Sequence, residues 1–186
     1  MTEIARYTRT AMLLHWAIAI LILLNVGLGL SFTYGWAPAD DIRPMITFHK
    51  STGMMVLVLV LLRLAWRTTH TPPALPATYH PWEANLSHVV HALIYVVALG
   101  LPLSGWAHDS AGNYPYNWYG LFHAPNIWFI ANLPPAAKLA WHGYLGTAHT
   151  LFGYALYVLL AAHVAGALKH QFIDKEPEIQ RMLPGS

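Results

Sequence analysis

Histidine is the residue type with the most chemical potential in this chain, at twelve of 186 residues, and cysteine is absent. Without cysteine there can be no disulfides, thiolate metal sites, iron–sulfur ligation, cysteine nucleophiles or C-x-x-C-H attachment of covalent haem. Imidazole chemistry remains, as metal ligation or proton movement. His149 and His163 lie fourteen residues apart in an apolar run. On a helix that spacing puts both rings on nearly one face, about 21 Å apart along the axis. They could serve two haem centres stacked across a membrane, one near each surface. His15 and His49 also sit in or beside apolar runs and could complete the two centres.

The elements that must position these side chains are membrane helices. Hydrophobic residues make up 56% of the chain and charged residues 10%, whereas soluble domains carry about 25% charged residues. Much of the surface must therefore face lipid, and eight Trp and ten Tyr suit the headgroup region. Four spans are predicted, at about 10–32, 46–66, 86–107 and 142–168, with a kink expected at Pro102. Each is near the roughly 20 residues that cross a bilayer core, and lipid enforces helix. The expected fold is an all-α membrane protein, a four-transmembrane-helix bundle forming one domain over 1–186. The first span carries no small-x-small cleavage pattern and is expected to be retained. Residues 108–141 form a long loop between helices 3 and 4, expected to cap one surface, with His108 and His123 in it. Residues 68–85 form a Pro-rich loop on the other side.

Lys and Arg set the orientation. Arg6, Arg9, Arg63, Arg67, Lys169, Lys175 and Arg181 fall on one side of four spans; Arg43, Lys50 and Lys138 fall on the other. The positive-inside rule then puts both termini in the cytoplasm. His15 and His163 share the cytoplasmic depth, while His49 and His149 share the outer depth. Topology alone thus pairs His15 with His163 and His49 with His149. Bis-histidine ligation saturates an iron and favours electron transfer over oxygen binding. Gly27, Gly29, Gly53, Gly146 and Gly153 lie on the same helices and would let flat macrocycles or neighbouring helices approach.

A lone membrane histidine more often packs or hydrogen-bonds than ligates, and intramembrane histidines also line proton and metal pathways. Such pathways usually contain buried Asp or Glu, and none falls within the four predicted spans. A histidine-lined transporter without haem is therefore the weaker alternative. His91 could replace His15 opposite His163, or touch a propionate or a quinone. His142, seven residues before His149, could serve the outer site. The net charge of +2, with no basic run, gives no support to nucleic-acid binding.

The chain resembles the bacterial cytochrome b561 family over all four spans. The resemblance is carried by RYTRTAMLLHW, FHKSTGMMVLVLVLLRLAWR, HALIYVVALGLPLSG and AHTLFGYALYVLLAAHVAGALKHQFIDKEPEIQRMLP. It implies a four-helix bundle in the bacterial inner membrane with two haem b groups on His15, His49, His149 and His163. It also implies superoxide oxidation at the outer side, with electrons passed to ubiquinone at the inner side. His170 resembles the quinone-side histidine of that family, with His91 a second candidate. A haem b anchor subunit, passing electrons between a partner redox enzyme and quinone, is the alternative in the same class. Lys50, Arg43 and Lys138 are the outer groups that could draw an anionic donor, opposed by Asp40, Asp41 and Asp109. Arg6, Arg9 and Arg67 could hold propionates at the inner side.

Overall fold

The computed structural model describes residues 5–183. Four long helices dominate: α1 (Arg9–Thr33), α2 (Ile42–Thr69), α3 (Pro81–Gly112) and, after a small hairpin and one helical turn, α5 (Pro135–Leu168). All four are long and apolar enough to cross a membrane. Each predicted span lies inside one of them. The helices run past the predicted spans, and in α1 and α3 local capping chemistry, not hydropathy, sets the ends.

Thr8 opens α1, its hydroxyl accepting from the Ala11 amide at 3.3 Å, and Gly35 closes it at φ 66°. His80 and Glu83 form a reciprocal cap ahead of Pro81 on α3, and Asn113 ends that helix in the left-handed region. Proline in the first turn loses no hydrogen bond there, and a left-handed residue stops propagation. Pro102 lies inside α3, which runs on continuously through it. Proline 135 starts α5, and a five-residue π-turn, Lys169–Ile173, follows it.

Leu13, Ile20, Leu23, Leu151 and Val158 are exposed on the outside of the bundle, as lipid-facing residues must be. The core consists of Ile18, Ile22, Val56, Val60, Val97, Ala98 and Leu156. Leu156 is seven residues from both His149 and His163, so this plug fills the level between the two histidine depths. In lipid, close packing and not water expulsion holds such helices together. Helices α1 and α2 pack closely, α2 meets α3, and α3 packs most extensively on α5. The backbones of α1 and α2 approach α5 at no more than isolated points.

Residues 108–141 are less of a loop than expected, because α3 runs to Gly112 and α5 begins at Pro135. His108 is accordingly on α3 and not in the cap; His123 is in the cap, on β2. Between the helices lie a two-stranded hairpin, β1 (Asn117–Trp118) and β2 (Phe122–His123), and the single turn α4 (Trp128–Ala131). The hairpin is fastened to α2: the Tyr119 amide donates to Ser51 Oγ at 3.0 Å, and Trp118 Nε1 donates to the Ser51 carbonyl at 3.2 Å. Trp128 and Phe129 on α4 are exposed, which suits a membrane interface. At the opposite end the tail folds back. Buried Arg181 donates to the carbonyls of Ala5, Pro73 and Ala74 and pairs with Glu178 at 2.8 Å.

Candidate functional site

Two facing histidine pairs occupy the sparsely packed seam between α5 and the α1–α2 pair. The ring centres of His49 on α2 and His149 on α5 are 6.2 Å apart, with planes 75° apart. Those of His15 on α1 and His163 on α5 are 6.1 Å apart, with planes 71° apart. Two imidazoles on opposite faces of one metal, with metal–nitrogen bonds of about 2.0 Å, would have ring centres about 6.2 Å apart. His91 lies nearer to His163, at 5.1 Å and edge-on. That is about 1 Å closer than either facing pair, so His15 rather than His91 would hold a haem with His163, and His91 fits a place beside the inner pair.

The surroundings of His149 fit a ligand. Its Nδ1 bonds to the Leu101 carbonyl at 2.9 Å, with Ser104 Oγ at 3.3 Å. A ligating histidine usually donates its other nitrogen in this way, which fixes the tautomer and leaves Nε2 for the metal. Across the gap, His49 Nδ1 is buried and has no hydrogen bond among the described residues. Gly105 gives room for the close approach of His149, whose Cε1 would lie 3.2 Å from an added Cβ. A flat macrocycle fits a seam where helix backbones stay apart while their histidines face each other. The residues present therefore suit haem at both depths.

His142 does not join the outer pair. It stacks on His108 at 3.7 Å, each Nδ1 bonding to the other residue's carbonyl, at 2.9 and 3.1 Å. These two histidines clasp α3 to α5. His170 lies in the π-turn, stacked on Tyr79 at 3.9 Å and bonded through Nδ1 to Asp174 Oδ2 at 2.6 Å. Asp174 also pairs with Lys169 at 2.8 Å, and the same ammonium bonds to buried Glu83.

Lys50 is not free to attract an anion: it pairs with buried Asp109 at 2.9 Å and sits near the rings of Tyr114 and Tyr116. Tyr116 is pushed up to about 12 by burial and then by the Asp109 charge. Thus α3 carries a buried acid near each end, Glu83 and Asp109, each closed by a lysine from another helix. Both lie on the ends of α3 that extend beyond the predicted 86–107 span. Arg43 is exposed and lines an open cleft with Thr47, Phe48, Ser51 and Tyr119. Arg63 donates to the Tyr95 hydroxyl at 2.9 Å and to the Ala11 carbonyl at 3.3 Å, joining three helices near His15.

Residues 6–185 match the family described as prokaryotic cytochrome b561. The chain belongs to the prokaryotic cytochrome b561 family. It is 29% identical to cytochrome b561 homolog 2 of Escherichia coli strain K12, over 96% of this chain and 91% of the relative. It is 28% identical to the probable superoxide oxidase CybB of Yersinia pestis, over 92% of each. It is also 26% identical to a cytochrome b562 of Cereibacter sphaeroides, over 98% of each. As a member of the cytochrome b561 family the chain is a multi-pass transmembrane haem b protein of electron transport.

Residue-type reasoning missed Asp174, Tyr79 and the Glu83–Lys169 pair. The His170/Asp174 spacing of four was a signal, since such residues share a helix face. The Tyr79 and Glu83 partners come from another part of the chain and leave no local signal.

Proposed function

We propose that this cytochrome b561 family member is a di-haem superoxide oxidase, one domain over 1–186 in the bacterial inner membrane with both termini cytoplasmic. His49 and His149 hold the outer haem b, and His15 and His163 hold the inner one. Ubiquinone is reduced near His170, with His91 close to the inner haem. The observation that supports this best is the repeated ring separation, 6.2 and 6.1 Å, at two depths of one bundle. The kinship with a probable superoxide oxidase supports the choice of donor.

Bound haem supplies a one-electron carrier at each depth. The chain's own residues do the rest. His149 is oriented by Leu101, so that its Nε2 faces the seam. The core around Leu156 excludes water between the two levels. Arg43, exposed at the outer cleft, offers the charge that draws an anion, since Asp109 neutralises Lys50. At the tail end His170 offers an imidazole that can pass a proton. Two superoxide ions give up one electron each and leave as dioxygen. One quinone takes both electrons and two protons and becomes a quinol.

Stopped-flow mixing of the oxidised, haem-loaded protein with superoxide tests this. Haem reduction should outrun spontaneous dismutation, and added ubiquinone should reoxidise the haems. Reduction no faster than the dismutation background would remove superoxide as donor.

A further inference from the structure

We propose that Asp174 is a positioning residue for proton delivery to quinone, acting through His170. This rests on the reading above that a quinone is reduced at the tail end.

The π-turn Lys169–Ile173 continues α5 without a break, and such turns recur at functional sites. It brings His170 and Asp174 together at 2.6 Å. Two contacts then fix the ring. Its face lies on Tyr79, with planes 14° apart, and its Nδ1 lies on Asp174. The carboxylate accepts, so Nδ1 is the nitrogen that keeps its proton. Nε2 has no hydrogen bond among the described residues, and it is the atom left to exchange a proton with a ligand.

Asp174 is itself held. Lys169 bonds to the same Oδ2, and Glu83 holds Lys169 from α3. The Lys169 ammonium, followed by His170, keeps the Asp174 carboxyl below the usual carboxylate range, so it stays an anion. The His170 side chain is 12% exposed and that of Asp174 is 29% exposed. The imidazole is therefore shielded while its partner meets water. A carboxylate behind a histidine orients the ring and stabilises the positive charge it carries between proton transfers.

The step balances as follows. One electron reaches the quinone, and one proton leaves Nε2 of the protonated ring for a quinone oxygen; the N–H bond breaks and an O–H bond forms. Cytoplasmic water then returns one proton to the ring. Two rounds consume two electrons and two protons.

The test is steady-state reduction of decylubiquinone by the purified haem-loaded protein, with its haems kept reduced chemically. D174N should keep its haem content and its KM for decylubiquinone within about twofold, while kcat falls on the order of tenfold or more. Its solvent deuterium isotope effect on kcat should rise. D174E should recover part of the loss, and D174N should add little in an H170Q background. An unchanged kcat in D174N would overturn the proposal, as would equal losses with and without His170, or a D174E as slow as D174N. If the wild type reduces no decylubiquinone at all, the quinone reading fails and this proposal fails with it. If the wild type is active and D174N matches it, only the role of Asp174 fails.

Discussion

The imidazole centres of His49 and His149 lie 6.2 Å apart, and the pair His15 and His163 repeats that separation at 6.1 Å one depth further along α5. His91, at 5.1 Å from His163, breaks the pattern. Each pair should hold one haem, so losing either member should release that haem alone. His49→Ala and His149→Ala should each lower haem content from about two to about one per chain, and so should His15→Ala and His163→Ala. The spectrum lost should be the same within a pair and different between pairs. His91→Ala should keep both haems. Pyridine haemochrome assays with redox titration check this, and haem loss in His91→Ala with retention in His15→Ala would reverse the inner pairing.

Glycine 105 should matter to the outer haem although it cannot ligate. A Cβ there would lie 3.2 Å from His149 Cε1 and 3.3 Å from Nδ1. Gly105→Val should push the ring off the Leu101 carbonyl, at an overpacking cost of about 1–3 kcal/mol. The haem shared with His49 should be lost or shifted in potential, with the inner one unaffected. Gly143→Ala is the control, because among the described residues a Cβ there meets nothing within 4 Å. Equal haem spectra for both variants would show that the close approach has no consequence.

The spans and the depth pairing were legible because lipid imposes one rule, apolar residues throughout a helix, and α5 carries its two histidines at fixed spacing. The helix ends were less legible. Capping by His80 with Glu83, and by Asn113, extends α3 beyond its apolar stretch, which is why His108 falls on a helix. The clasp of His108 with His142 depends on contact between α3 and α5, and nothing local in either segment encodes it. His142 appeared suited to the outer site because it shares a face with His149, but its ring is taken up by His108.

The tail should stay docked under mild acid. Asp174 has its carboxyl held below the usual range, first by the Lys169 hydrogen bond. A depressed carboxylate contributes stability above its unfolded pKa, about 3.9, and loses it as pH falls through the lower folded value. Hydrogen exchange over residues 174–183, divided by its intrinsic rate at each pH, should therefore be flat from pH 7 to about pH 4 and rise only below that. Asp174→Asn should make exchange there faster at pH 7 and remove the acid-dependent rise. A rise beginning near pH 5 in the wild type would mean that another group controls the tail.

Arg43, and not Lys50, should govern how fast an anionic donor reaches the outer side. Lys50 is neutralised by Asp109 at 2.9 Å, whereas Arg43 is exposed at an open cleft at the same end of α2. Steering by an exposed charge acts on the association rate and fades once the Debye length shrinks, to about 3 Å at 1 M salt. Arg43→Gln should slow haem reduction by superoxide several-fold at low ionic strength and by little at high salt. The double variant Lys50→Met with Asp109→Leu removes a neutral pair, so it should leave the low-salt rate nearly unchanged. It should lower or raise stability by only a few kcal/mol, since a buried pair replaced whole often breaks even. Stopped-flow rates across a salt series measure both effects. A salt dependence that survives Arg43→Gln and disappears in the double variant would transfer the steering role to Lys50.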